Sequence, residues 1–322
     1  MKKNNNVLNA FFIVLVISSA ILVCLPTIGY SEVIVELLIS FRIHVCLFLA
    51  FILLLLIFKR SYFLAGIQLL FIIYNIYPVV SSYSFSDYNY VCNKGRGQDH
   101  IRVMSFNVYY KNSEYSSIYQ NIRSANADIV MLQESQPGFT DYGHRLLVAD
   151  YPFYYPNFEQ GKHDRWTLYS RYPVVMSNRK KTKGLALHSK IDVNGTIVEV
   201  VTLHAKSPKT RERIAVRNRR INELSIVVKN IVDNNRHVIV AGDFNNVPWH
   251  PSMKGFKNIT KLKSNDVMSG YFGTWPAWLP SFVSVPIDHI FYSEGFHHVS
   301  YSRGHSSGSD HYPVISDLYF CE

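Results

Sequence analysis

Three long apolar runs fill the first quarter of the chain. Val7 to Tyr30 carries no charge, Ser40 to Phe58 carries only Arg42 near one end, and Ser61 to Val80 stops near Pro78. A helix needs about 20 apolar residues to cross a ~30 Å hydrocarbon core, so each run has spanning length. Lys59-Arg60 marks a tight turn at one surface, and Arg42 is placed to snorkel toward headgroups. The pattern predicts a membrane anchor over residues 1–82, with helices about 7–30, 40–58 and 61–80. A linker over 83–99 follows, containing Gly-Arg-Gly. The alternatives are a buried helical subdomain or a cleaved signal peptide over the first run. With Lys2, Lys3, Lys59 and Arg60 on the cytoplasmic side, an odd number of spans delivers the remainder outside the cytoplasm.

From residue 100 onward the pattern changes to short mixed segments. Ile101–Asn107 reads as a strand, Ile118–Ala125 as a helix, and Asp128–Leu132 as a compact buried strand. Leu185–Val193 and Thr196–Leu203 flank Asn194-Gly195, which supplies the positive φ angles of a type I′ hairpin turn. Arg211–Val232 predicts a long helix with Ile214, Leu224, Ile226 and Val228 inward. His237–Ala241, Ile287–Tyr292 and Pro313–Phe320 add further strands. Strands outnumber helices and several are apolar on both faces. The expected architecture is therefore a layered α/β sandwich with mixed sheets.

Charge sharpens the division. The net charge is +10, of which residues 1–99 hold +3 and the remainder +7. A basic domain favours polyanions such as nucleic acid or anionic headgroups. Four cysteines are too few for a disulfide framework, and none has zinc-ligand spacing. Cys24 and Cys46 lie in apolar runs, as small buried hydrophobes do.

The polar residues gather where strands stop, which is where a rigid sheet presents chemistry. Asn107 ends the first strand, Glu134 follows the second, His204 the hairpin, and Asp243 and Asn245 the fourth. Asp288 opens a strand and Asp310-His311 precedes the last. Glu134 offers a carboxylate and Asn107 a neutral oxygen at one edge, a hard donor set that suits Mg²⁺ or Mn²⁺. Asp243 and Asn245, on an extended stretch, share a side and can grip a water and a phosphoryl oxygen together. His311 can relay a proton if a carboxylate orients it. Taken singly, each of these is also what a solvated loop or turn shows.

Their order is more specific. Ser105-Phe106-Asn107, Leu132-Gln133-Glu134, Tyr169-Ser170-Arg171-Tyr172-Pro173, His204-Ala205, Gly242-Asp243-Phe244-Asn245, Pro286-Ile287-Asp288-His289-Ile290 and Gly308-Ser309-Asp310-His311-Tyr312-Pro313-Val314 occur in that sequence. Over about residues 100–322 the chain resembles the endonuclease/exonuclease/phosphatase superfamily, and in particular its membrane-attached bacterial-type members. The resemblance implies a DNase I-like, four-layer α/β sandwich with two mixed β-sheets, and a metal-dependent phosphoric ester hydrolase using Mg²⁺ or Mn²⁺. It also implies roles. Glu134 is the principal metal ligand, Asn107 helps hold the metal shell, and Asp310 is a second carboxylate near metal and phosphate. Asp243 and Asn245 position water and phosphate, His204 contacts phosphate or leaving group, and Asp288 orients the catalytic His311. Two departures stand out. Arg165-Trp166-Thr167-Leu168 precedes Tyr169 where relatives often carry a small residue, and no long insertion separates Asp243 from Asp288.

Substrate is the open point, since the motifs serve nucleases and phospholipid or phosphoinositide-type phosphodiesterases alike. Lys209, Arg211 and Arg213, continuing to Arg217, Arg219 and Arg220, either track a polynucleotide backbone or form a solvated helix face. Trp275-Pro276-Ala277-Trp278-Leu279-Pro280-Ser281-Phe282 can stack on bases, enter lipid, or pack on the sheet. The reading is a membrane-bound nuclease acting outside the cytoplasm, with a lipid phosphodiesterase as the alternative. Nothing points to a protein partner. The resemblance also implies that the first and last strands of the domain lie antiparallel. Cys92 and Cys321 would then be close enough to bridge in an oxidising compartment.

Overall fold

The fold is taken from a computed structural model of the 322-residue chain, described over residues 2–27, 29, 32–82, 100–158, 165–264 and 273–321. The expected linker and Cys92 lie outside these. The chain divides into two compact units. One is Met1–Tyr83 with Pro208–Ala215 and Pro248–His250; the other is Ser84–Ser207, Val216–Val247 and Pro251–Glu322.

In the first unit the apolar runs form helices α1 (Lys2–Cys24), α2 (Val33–Ser40), α3 (Arg42–Phe58) and α4 (Tyr62–Ser82). Two stretches, Asn9–Thr27 and Tyr62–Ser82, are long and apolar enough to cross a membrane. The middle run forms the unbroken α3, which at 17 residues is shorter than the other two, and α2 precedes it. Helices α2 and α3 meet at 73°, and only if that bent pair counts as one span does the number reach three. Phe12, Val16, Ile52, Leu56 and Ala65 form a common cluster. Arg42 does not snorkel. Its side chain is buried and donates to the Asn75 carbonyl, while the Asn75 amide donates to the Arg42 carbonyl and to Cys46 Sγ. Low-dielectric surroundings favour such a reciprocal clasp over leaving either group unmatched. Cys46 is buried as expected, whereas Cys24 is exposed.

The second unit runs β1 (His100–Asn107), α5 (Tyr115–Ala125), β2 (Ile129–Gln133), α6 (Pro137–Leu147), β3 (Phe153–Phe158), β4 (Arg165–Ser170) and β5 (Val174–Asn178). The hairpin β6 (Leu187–Val193) and β7 (Thr196–His204) follows, then α7 (Arg211–Asn234), β8 (Val238–Asp243), α8 (Pro251–Thr260), β9 (Lys263–Ser264), β10 (Asp288–Tyr292), β11 (Phe296–Arg303) and β12 (Val314–Phe320). Two six-stranded mixed sheets result, ordered β11-β12-β1-β2-β4-β3 and β5-β6-β7-β8-β10-β9. Their inner faces share one core containing Val103, Met131, Trp166, Val200, Ala241 and Ile290. The outer face of the first sheet is covered by α5 and α6 through Ile118, Ile122 and Phe139. That of the second is covered by α7 and α8 through Leu224, Val228, Met253 and Phe256. This is the four-layer α/β sandwich.

Several expectations meet their structural outcome here. Trp166, within the Arg165–Leu168 segment that departs from the relatives' pattern, is fully buried between the sheets with the Arg179 guanidinium 4.6 Å from its ring centroid. The Asn194-Gly195 turn closes the hairpin at Val193↔Thr196, with φ of 53° and 90°. Ile226 does not face inward. It is 67% exposed, because Leu224 and Val228, four apart, define the buried face and Ile226 lies across the helix from them. First and last strands are antiparallel neighbours, His100 opposite Tyr319. Cys321 is disulfide-bonded.

Candidate active site

The second unit brings the strand-end residues together at one end of both sheets. β1 pairs with β2 in parallel, so Asn107 stands opposite Gln133 and Glu134 follows at once. β7 pairs with β8 in parallel, His204 opposite Asp243, and Asp243 pairs with Asp288 across the antiparallel β8–β10 ladder. Gly242 makes this possible. Its φ is +146°, and a Cβ there would meet the Leu203 carbonyl oxygen at 2.0 Å.

Asn107 links the sheets. Its amide nitrogen donates to Glu134 Oε1 (3.3 Å) and to Asp243 Oδ2 (3.1 Å). Its oxygen accepts the Tyr109 backbone N–H, which fixes the orientation of the amide. Asn107 therefore turns its donor, not its oxygen, toward the carboxylates. Glu134 sits at φ 59°, a left-handed conformation that costs a non-glycine residue energy, and its other oxygen accepts the Tyr110 N–H at 3.0 Å. His204 Nε2 lies 3.4 Å from Glu134 Oε1 and 3.6 Å from Asp243 Oδ2.

Asp243 and Asn245 do not share an extended stretch. Asn245 adopts φ 48°, which asparagine tolerates better than most residues, and folds back on its neighbour. Its backbone N–H donates to Asp243 Oδ1 (2.7 Å) and its amide to Asp243 Oδ2 (2.9 Å) and the Ala205 carbonyl (3.0 Å). Arg217 holds this turn from α7. It is buried, not part of a solvent-facing basic run, and its guanidinium donates to the Asn245 carbonyl at 2.9 Å.

His311 closes the cluster. Its Nδ1 lies 2.8 Å from Asp288 Oδ2 and its Nε2 3.7 Å from Asp243 Oδ2. Ser309, which the sequence did not single out, donates to the Asn107 carbonyl and accepts the His311 N–H. Burial opposes charge on His311, but Asp288, Asp243 and Asp310 outweigh it and hold the imidazolium up to about 10. Burial, with Asp288 adding to it, raises Asp243 to about 6. Asp310 is held by the neighbouring loop: Trp275 Nε1–H donates to its Oδ2 at 3.2 Å and the Ala277 N–H to its carbonyl at 2.8 Å. Lys209, Arg211 and Arg213 are exposed and belong to the segment grouped with the first unit.

The donor set fits a hard cation. Asp243 and Asp288 offer carboxylate oxygens within 4.8 Å of each other and of a His311 nitrogen, though the protonated His311 is a donor to the carboxylates and not a ligand. Asp288 Oδ1 is buried without a hydrogen-bond donor, as is His204 Nδ1. Carboxylate oxygens packed this closely need positive charge beside them.

The Endonuclease/Exonuclease/phosphatase family profile matches residues 104–311. This chain belongs to that family. Solved structures agree in fold. An endonuclease/exonuclease/phosphatase family protein from Bacteroides thetaiotaomicron superposes with a TM-score of 0.54 at 19% identity, covering 70% of this chain and 100% of that one. The human Nocturnin catalytic domain with bound sulfate gives 0.54 at 22% identity, covering 69% and 97%. A mutant beta toxin from Staphylococcus aureus with bound magnesium ions gives 0.52 at 18%, covering 70% and 100%. No curated protein matches by sequence. Membership in the endonuclease/exonuclease/phosphatase family makes hydrolysis of phosphoesters the general activity of the domain.

Proposed function

We propose that the chain is a membrane-anchored, divalent-metal-dependent phosphodiesterase that cuts nucleic acid outside the cytoplasm. In this reading residues 1–82 are the anchor, 83–99 a linker and 100–322 the catalytic domain. The observation that carries it is the Asn107-bridged cluster of Glu134, Asp243, His204 and His311–Asp288, in a domain of this family with a net charge of +7.

Glu134, with Asn107 ordering its oxygens and Asp310 nearby, would hold Mg²⁺ or Mn²⁺. When bound, the ion supplies positive charge for the phosphoryl oxygens and favours hydroxide over water. Asp243 and Asn245 orient the attacking water and the phosphate through the paired oxygens and amide of their turn. His311, kept protonated by Asp288, donates toward developing negative charge, and His204 contacts the phosphate. Lys209, Arg211 and Arg213 meet the polynucleotide backbone.

Orientation is supported by two independent features. The cations Lys2, Lys3, Lys59 and Arg60 favour the cytoplasmic side, and Cys321 is disulfide-bonded while Cys24 and Cys46 are free. Cys92 is the partner we assign to Cys321.

The test is hydrolysis by the full chain in detergent, with Mg²⁺, Mn²⁺ or EDTA, on DNA, RNA and phospholipid vesicles. Glu134→Ala, Asp243→Ala and His311→Ala should each abolish turnover with the fold retained, as should EDTA. Robust turnover in EDTA would sink the reading. A phospholipid phosphodiesterase is the second reading, favoured by the uncharged stretch Gly273–Ile287 with exposed Trp278 and Phe282. Hydrolysis of vesicle lipid, with nucleic acid left intact, would select it.

A further inference from the structure

Two aromatic segments are tied by hydrogen bonds to carboxylates of the site. On one flank the Tyr110 N–H donates to Glu134 Oε2, the Tyr110 ring is 48% exposed, and Lys111 Nζ lies 5.5 Å from its centroid. On the other, Trp275 Nε1 donates to Asp310 Oδ2 and the Ala277 N–H to the Asp310 backbone carbonyl, and three residues after Trp275 the Trp278 side chain is 75% exposed. That second segment is a closed, braced loop. Trp275 bridges Val285, Ser284 Oγ donates to the Pro276 carbonyl, and Thr274 Oγ1 accepts the Ile287 and Asp288 N–H groups. Each anchoring hydrogen bond starts at most three residues from the exposed ring it holds. Both exposed rings therefore stand within three residues of a hydrogen-bonded anchor on Glu134 or Asp310.

Charge is distributed in a complementary way. Gly273–Ile287 contains no ionisable side chain. The turn before β6 holds exposed Lys180 and Lys183, while Lys181 is drawn to Glu199, and it leaves the sheet at the same end as the site, since Leu187 pairs with Thr202 two residues before His204. Cations on one side and uncharged aromatic rings on the other match a strand that lays its phosphates on the first and its bases on the second.

We infer that the site takes single-stranded polynucleotide, with Tyr110 and Trp278 as stacking platforms for bases on either side of the scissile phosphate. This rests on the nuclease reading above and narrows it. A duplex keeps its bases stacked internally and offers the rings nothing. A lipid headgroup would meet the cluster and leave at least one platform unused.

The test uses the full chain in detergent with Mg²⁺ and four substrates: bis(p-nitrophenyl) phosphate, a labelled single-stranded 20-mer, the same strand annealed to its complement, and phosphatidylcholine–sphingomyelin vesicles. Single strand should be cut at least about tenfold more efficiently than duplex, on the scale of one lost base stack. Tyr110→Ala and Trp278→Ala should each lower kcat/KM on the single strand about tenfold more than on bis(p-nitrophenyl) phosphate. Tyr110→Phe and Trp278→Phe, which keep a ring, should restore most of it. Equal rates on single strand and duplex, with bis(p-nitrophenyl) phosphate still hydrolysed, overturn this inference and leave the phosphodiesterase reading standing. So does lipid hydrolysis that falls in Trp278→Ala while oligonucleotides stay intact. A wild type inert on every phosphodiester removes both.

Discussion

Asn107 and Asp243, 136 residues apart in sequence and on different sheets, meet at 3.1 Å through the Asn107 amide nitrogen. The same nitrogen reaches Glu134, so one neutral donor separates two carboxylates that would otherwise repel. Asp243 is the more constrained of the two, raised to about 6 chiefly by burial. A carboxyl raised in the folded state contributes stability below its unfolded value, and this is lost as pH rises through about 4 to 6.

Asn107→Asp extends that penalty by adding a third negative charge. In metal-free protein the variant should be less stable than wild type by about 2–3 kcal/mol at pH 8, the cost of exchanging a charge-assisted hydrogen bond for repulsion. The deficit should shrink toward pH 5, where one carboxyl protonates. Urea denaturation at the two pH values measures it, and a deficit independent of pH would contradict the bridging role.

His311 should keep its ring proton far above the ordinary histidine range in metal-free protein, up to about 10. Asp288→Asn removes the strongest of the stabilising carboxylates and should bring the titration down. Nitrogen-detected NMR of the imidazole follows both curves. An unshifted titration in Asp288→Asn would show that Asp288 does not hold the proton.

Arg217 should act through Asn245. Arg217→Met frees the Asn245 carbonyl while keeping much of the buried volume, so kcat should fall roughly 10- to 100-fold with KM little changed, the scale of one misplaced positioning group. Arg217→Lys should recover part of it. A loss confined to KM would mean that Arg217 binds substrate directly.

Glu199 governs stability in acid, away from the site. It is buried beside His188 at 2.6 Å, with Lys190 at 3.3 Å and Lys181 at 3.6 Å. Burial pushes its pKa up, but these cations outweigh it and hold the carboxyl at about 2. A depressed acid contributes stability above its unfolded value, about 4.5, and loses it as pH falls toward 2. Glu199→Gln should cost on the order of 2 kcal/mol at pH 7, allowing for partly exposed lysines, and almost nothing at pH 2. Denaturant midpoints across that range decide it.

Reduction should destabilise the protein. The proposed Cys92–Cys321 bridge closes nearly the whole catalytic domain into a loop, for which the chain-entropy model gives on the order of 4–5 kcal/mol. Cys321→Ser and dithiothreitol should lower the melting temperature alike, without adding to one another. Mass spectrometry of non-reduced peptides that finds both thiols free would remove the bridge.

Much of the site is legible in the sequence because its residues follow strand ends with local signatures. Glu134 follows a fully buried strand that is apolar up to Leu132, and Asp243 follows a glycine that only a close strand approach requires. Relations that depend on tertiary packing are not legible there. Arg217 reads as one more cation in a basic run until α7 turns it inward, and Asn245 reads as extended until its φ of 48° folds it over Asp243. Ser309 gives no signal beyond its place before Asp310-His311. In the fold, the hairpin at Asn194-Gly195 announces itself, while β3 does not, being an aromatic edge strand interrupted by Pro156.

The order of the first sheet has a bearing on how this enzyme is born. β1, which carries Asn107, sits between β2 and β12, and β12 is the last strand among the described residues. Asp310 and His311 emerge just ahead of it. A nascent chain can have its apolar helices made and Glu134 and Asp243 in place, yet lack both the histidine and the strand that seats β1. Assembly of the cluster therefore waits on β12 and on the histidine just before it, long after Glu134 and Asp243 have been made.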